Sequence, residues 1–229
     1  EMIFNKKRDL LIVVGGGSLP PSMYDRPHED ELQPNRDRME EQVIHYCVAH
    51  GIPIIATCRG MQYINVMFGG KLWYHPRLPV ARTRGMDHQV WLVKEQRNIW
   101  VNNYHSDCIY EEGLAPCFEP LAIDRENHVV EAYGSDEMKI LALQWHPERR
   151  FETANAYEET RKIVLDFISS TVRLILSLIR CHTYFVTHTS DPSHPLLFWM
   201  PGHSTRSRFP SSARSTSPTE ISSTGHPGT

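Results

Sequence analysis

The stretch Ile52-Pro-Ile-Ile-Ala-Thr-Cys-Arg-Gly-Met-Gln-Tyr-Ile-Asn-Val-Met-Phe68 changes its period halfway, and the change decides the fold. Ile52 to Ala56 is a short apolar run that reads as a buried strand, whereas Gly60 to Phe68 sets Met61, Ile64 and Phe68 on one helical side. Gly69-Gly70 then terminates that helix. Upstream, Leu10-Leu-Ile-Val-Val14 reads as a strand buried on both faces that feeds the turn Gly15-Gly16-Gly17. Between the two strands, Asp37 to His50 carries Met39, Val43, Ile44, Cys47 and Val48 on roughly one helical face, and Gly51 followed by Pro53 stops it. Strand, helix, strand, turn, helix is the pattern of an α/β domain with a mostly parallel sheet.

The second half changes character. His88 to Glu95, Glu119 to Asp124, His128 to Tyr133 and Lys139 to Trp145 are strand-like and lie closer together than parallel crossovers allow, so part of the sheet is expected to be antiparallel. Ala154 to Ser169 reads as a last helix with Tyr157, Ile163, Val164, Phe167 and Ile168 inward. Beyond it the composition shifts: Ser, Thr and Pro make up 24 of the 49 residues from Cys181 to the end, with no Lys. Such a segment buries too little apolar surface to offset the entropy of ordering it. The expected organisation is a domain over 1–170, an extension of the last helix over 171–180 and a disordered tail over 181–229.

Composition excludes several functions. The 229 residues hold 27 acidic and 24 basic side chains, a formal charge of −3 that exerts no general pull on nucleic acid or anionic lipid. No run of 18 apolar residues offers a membrane span. Five scattered cysteines with no Cys-x-x-Cys argue against a disulfide scaffold and a structural zinc site. The tail histidines, 182, 188, 194, 203 and 226, lack regular spacing or neighbouring carboxylates and are not read as metal ligands. With charges in place of an apolar leader near the start, a reducing cytoplasm is the expected compartment.

Cys58 stands between the strand and Arg59-Gly60, where the helix begins. A nucleophile on a sharp strand-to-helix turn is lifted clear of the sheet, and the helix N-terminus is expected to lower its thiol pKa. For an arbitrary cysteine a buried structural role is the more common one; a base nearby reverses that. His146 ends the apolar strand Ile140-Leu-Ala-Leu-Gln-Trp145, on the sheet edge where sites assemble. Pro147 holds the chain extended, so Glu148 sits on the same side as the imidazole and can orient it. Cysteine, histidine and carboxylate together make an activated-thiol arrangement.

Thr57-Cys-Arg-Gly-Met-Gln-Tyr-Ile-Asn65, Val101-Asn-Asn-Tyr-His-Ser106 and Leu143-Gln-Trp-His-Pro-Glu-Arg149 resemble, in order, the three signature blocks of class I glutamine amidotransferase-like domains. Among these the chain is most similar to the gamma-glutamyl-gamma-aminobutyrate hydrolase (peptidase C26) family, from about Asp9 to Ser169. The resemblance implies a flavodoxin-like three-layer sandwich, here without its N-terminal βαβ unit, because too few residues precede Gly15 to build one. It implies Cys58 as nucleophile, His146 as general acid and base, and Glu148 as its orienting partner. Gly16 and Arg59 match the oxyanion-hole amides, Gln62 the glutamine that holds the glutamyl group, and His105 and Ser106 the loop beside its alpha-amino and carboxylate groups. The thiols of Cys47, Cys108 and Cys117 are read as structural.

The expected reaction is hydrolysis of a small gamma-glutamyl amide through a glutamyl thioester, with no metal or organic cofactor. Gamma-glutamyl-GABA and a nucleotide-linked gamma-glutamyl amidate both suit the motifs. A glutaminase subunit delivering ammonia to a partner synthase and an inactive, truncated remnant are the alternatives. The expected partners are the small-molecule substrate and at most a second copy of the chain, as a homodimer; nucleic acid and membrane are not among them.

Overall fold

The computed structural model describes residues 9–24, 32–74 and 85–171 in full and the backbone of 182–186. All of these lie in one compact unit, Glu1–Trp199; the other unit, Met200–Thr229, lies outside the described residues. The main sheet is built from β1 Asp9–Val13, β2 Ile54–Thr57, β4 Asp87–Leu92, β5 Arg97–Asn102, β7 Glu119–Asp124, β8 Val129–Ser135, β9 Ile140–Leu143 and β10 His182–Val186. These eight strands lie in the order β10-β1-β2-β9-β8-β7-β4-β5. β10, β1, β2 and β9 are mutually parallel, and from β9 outward every pairing is antiparallel. A separate two-stranded pair joins β3 (Trp73–Tyr74) to β6 (Asp107–Cys108).

The helices divide between the faces of the sheet. On one side α1 (Pro34–His50) and α2 (Arg59–Met67) pack Val43, Ile44, Cys47, Met61 and Ile64 against Leu11, Val13, Ile54, Ala56, Ile140 and Ala142. On the other, α3 (Ala156–Thr171) lays Ile163, Val164, Phe167 and Ile168 against the alternate residues Leu10, Ile55, Leu141 and Leu143. Strands buried on both faces cannot alternate apolar with polar, which is why β1, β2 and β9 are continuous apolar runs. The result is the expected α/β three-layer arrangement, in a mixed sheet whose parallel half carries the candidate site.

Three elements differ from expectation. β5 went unread because Arg97-Asn-Ile-Trp-Val-Asn102 shows few apolar residues; Ile99 and Val101 face the core and Trp100 is exposed. β10 lies inside the segment expected to be disordered from 181. Residues His182-Thr-Tyr-Phe-Val186 are rich in strand-forming types and hold no Ser or Pro, and they satisfy the outer edge of β1. The remainder of that tail and residues 172–180 lie outside the described residues. Tyr157, expected inward on α3, is 52% exposed, with its ring edge-on to Phe151 at 6.3 Å. None of the described helices is long and apolar enough to cross a membrane.

Candidate active site

Cys58 is the elbow between β2 and α2, at φ 51° and ψ −111°, a backbone conformation that a non-glycine residue adopts only when its surroundings force it. Two contacts supply the force. The Cys58 N–H donates to Leu143 O of β9 at 2.8 Å, and the Gln62 N–H to Cys58 O at 3.1 Å. Gly60 then passes so close to β1 that a Cβ there would lie 2.4 Å from Val13 O. The small residue two places after the cysteine is thus a packing requirement of the elbow.

His146 follows the C-terminal end of β9 and is buried. Asn102, at the end of β5, brackets its backbone: the Asn102 amide donates to His146 O at 2.8 Å, and the His146 N–H donates to Asn102 Oδ1 at 2.9 Å. The imidazole Nδ1 lies 2.6 Å from Glu148 Oε1, and the Tyr104 ring stands edge-on to it at 5.7 Å. Burial alone would raise the Glu148 carboxyl, yet the hydrogen bond to His146 and the nearby charges of His146 and Arg149 hold it below the usual range. An ionised Glu148 keeps the Nδ1 proton in place and leaves Nε2 as the proton-accepting atom. Both side chains border the same glycine: a Cβ on Gly15 would be 3.4 Å from His146 Nε2 and 3.6 Å from Cys58 Cβ.

The thiol itself differs from expectation. Burial pushes Cys58 up to about 11, outweighing the hydrogen bond from the Arg59 backbone N–H and the charge of Arg149. Desolvation outweighs the helix N-terminus because Cys58 is buried. At neutral pH the thiol is therefore protonated in the free protein, and attack requires a base to take its proton as it occurs.

The remaining expected residues separate into two groups. Gly16 lies in the turn after β1, packed against the side chains of Arg36 and Arg59. Gln62 is buried and points its Nε2 at Asp107 O and Gln144 Oε1, both at 3.2 Å. Ser106 is partly exposed on the loop before β6. His105 is instead spent on the interior: its Nδ1 lies 3.0 Å from Asp107 O and its Nε2 3.5 Å from the buried Glu131 carboxylate. Although burial opposes it, the charge of Glu131 holds the His105 imidazole above the usual range, and the Glu131 carboxyl sits well below its own. His88 approaches the same carboxylate at 3.5 Å. His105 thus ties its loop to β8 through Glu131. Asn102, Tyr104, Glu131 and the buried charges of α1 were not singled out from sequence, and of these only Asn102 and Tyr104 stood inside a quoted motif.

A family model described as Peptidase C26 matches residues 4–148. The chain belongs to the Peptidase C26 family, a family of hydrolases. It is 29% identical to the putative glutamine amidotransferase-like protein YvdE of Lactococcus lactis, over 63% of this chain and 68% of that one. It is 31% identical to protein NtpR of Enterococcus hirae, over 61% and 66%. With the gamma-glutamyl-gamma-aminobutyrate hydrolase PuuD of Escherichia coli it shares 26% over 65% and 66%. The chain thus spans about two thirds of the length of these curated relatives. Among solved structures, a glutamine amidotransferase from Thermotoga maritima aligns with 69% of this chain and 64% of its own at 18% identity and a TM-score of 0.44.

Proposed function

We propose that the protein hydrolyses the gamma-glutamyl amide bond of a small compound by nucleophilic catalysis at Cys58. The observation that carries this reading is the strained Cys58 elbow and His146 bordering the same Gly15, with Glu148 2.6 Å behind the imidazole. His146 takes the thiol proton as sulfur attacks the amide carbon; the Gly16 and Arg59 N–H groups receive the oxyanion; His146 then returns the proton to the departing amine. Water activated by the same histidine splits the glutamyl thioester and frees glutamate. Gln62, whose Nε2 is committed to protein acceptors, offers its carbonyl oxygen to the substrate's ammonium, and Ser106 its hydroxyl. The names of the relatives point to the same amide chemistry. A nucleophile of this kind needs a reduced thiol, and the four described cysteines are free, in keeping with a cytoplasmic enzyme.

The leaving amine is best supported as an anionic one. Arg149 is exposed, its guanidinium 4.5 Å over the Tyr104 ring that touches His146, and its charge is felt at Cys58. Both gamma-glutamyl-GABA, with a carboxylate, and a nucleotide-linked gamma-glutamyl amidate, with phosphates, place negative charge on that side. Several relatives are named as glutamine amidotransferases, and the second reading is a glutaminase that feeds a partner synthase. One assay separates the two: purified protein alone with gamma-glutamyl amides of anionic and neutral amines. Glutamate release without any partner is expected, with kcat/KM roughly 1.5-fold to fivefold higher for the anionic amines, the worth of one exposed ion pair. Silence on every amide, with glutaminase activity appearing only beside a synthase, would favour the second reading.

A further inference from the structure

Gly15-Gly16-Gly17 has to hold one particular peptide orientation, yet three consecutive glycines have almost no intrinsic preference for it. The side chain that supplies the preference comes from α1. Arg36 is 6% exposed; its Nη2 donates to Val14 O at 2.6 Å, and its Nη1 donates to Gly15 O and to Gln33 Oε1, both at 3.1 Å. Its Nε donates to Glu40 Oε1 at 2.6 Å, while Glu40 Oε2 accepts from Arg59 Nη1 at 2.7 Å, and Arg59 is also paired with Asp37. In a trans peptide the C=O and the N–H point in opposite directions. With the Gly15 oxygen held on Arg36, the Gly16 N–H must point away from α1. The catalytic pair lies beside the same turn, where a Cβ on Gly15 would be 2.6 Å from the His146 ring.

We propose that Arg36 is a positioning residue that clamps the Val14–Gly15 and Gly15–Gly16 peptides so that the Gly16 N–H faces the developing oxyanion, with Glu40 tying that clamp to Arg59. The inference rests on the reading of Cys58 as an acyl-forming nucleophile. A flipped Gly15–Gly16 peptide would present an oxygen where the reaction generates negative charge, converting a stabilising dipole into a repelling one. Stability alone does not account for such a cluster, because buried ion-pair groups of this kind are often replaceable by apolar residues at no cost.

The test compares wild type with Arg36→Met and Arg36→Lys through three readouts. The first is kcat and KM for glutamate release; the second is inhibition by the aldehyde analogue of the glutamyl group, whose hemithioacetal carries the same oxyanion; the third is alkylation of Cys58 by iodoacetamide, which displaces iodide and forms no oxyanion. Arg36→Met is expected to lower kcat on the order of 10²-fold and weaken the aldehyde by a similar factor. Its KM and alkylation rate should stay within about twofold of wild type. Arg36→Lys, which keeps the charge beside Glu40 but can hold at most one carbonyl, is expected to fall between. Should Arg36→Met not fold, Arg36→Lys with aldehyde binding lost and alkylation kept carries the same conclusion. Unchanged kcat, full rescue by lysine, or a parallel fall of alkylation and turnover would overturn the clamp. A wild-type protein that releases no glutamate overturns the function it rests on as well, whereas full activity in Arg36→Met overturns the clamp alone.

Discussion

Replacing Cys58 by alanine leaves the circular dichroism spectrum and the melting temperature near those of the wild type and removes glutamate release, on the order of 10⁴-fold or more. The elbow is held from outside: the Cys58 N–H bond to Leu143 O and the Gln62 N–H bond to Cys58 O use backbone groups that alanine retains. What alanine loses is one sulfur atom and with it the only acyl acceptor the proposed route has. Alanine at φ 51° is strained to about the same degree as cysteine, so the two proteins should differ little in stability. Residual activity above the spontaneous rate, measured by coupled glutamate assay, would mean that another group attacks the amide.

Gly60→Ala is expected to do the reverse, damaging fold and activity together. By helix propensity alone the change would stabilise α2 by about 1 kcal/mol. The new methyl, however, would lie 2.4 Å from Val13 O and 2.9 Å from Val13 Cγ1, and the first of these belongs to the backbone of a central parallel strand. A side-chain end could swing aside; a strand hydrogen-bonded on both edges cannot. Overpacking costs roughly 1–3 kcal/mol, and a contact this short against backbone belongs at the upper end, so after the gain in propensity the net loss is about 2 kcal/mol. For a domain of this size that lowers Tm by about 4–8 °C. The shift needed to relieve the contact moves Cys58 relative to His146, and kcat should fall on the order of 10²-fold in the protein that remains folded. A Gly60→Ala protein with wild-type melting and turnover would show that the elbow is looser than its contacts indicate.

The elbow was legible because its parts are loud: an apolar run with no polar break, a cysteine, a glycine, then a helical stripe. β9 and the His146 that follows it were legible for the same reason. The inner face of α1 was only half legible. Arg36, Asp37, Glu40, Val43, Ile44 and Cys47 are all buried and follow one another at helical spacing, but a hydrophobicity pattern assigns the first three to solvent. They are tolerated inside because they neutralise one another and Arg59, a pairing between α1 and α2 that no local pattern displays. The same reason hid Glu131, an acid in the middle of β8 that is buried beside two histidines from β4 and the loop before β6. The thiol expectation failed on magnitude: a helix N-terminus and burial act on Cys58 in opposite directions, and sequence shows the first but not the second.

A glutamyl thioester on Cys58 is detected most directly as the mass of the protein quenched in acid during turnover of a gamma-glutamyl amide, followed by peptide mapping. A fraction of the chains is expected to be heavier by one glutamyl group, attached to the peptide containing Cys58, released by mild alkali or hydroxylamine and missing from Cys58→Ala. Turnover with no such adduct under single-turnover conditions, or an adduct on another residue, would contradict nucleophilic catalysis at Cys58.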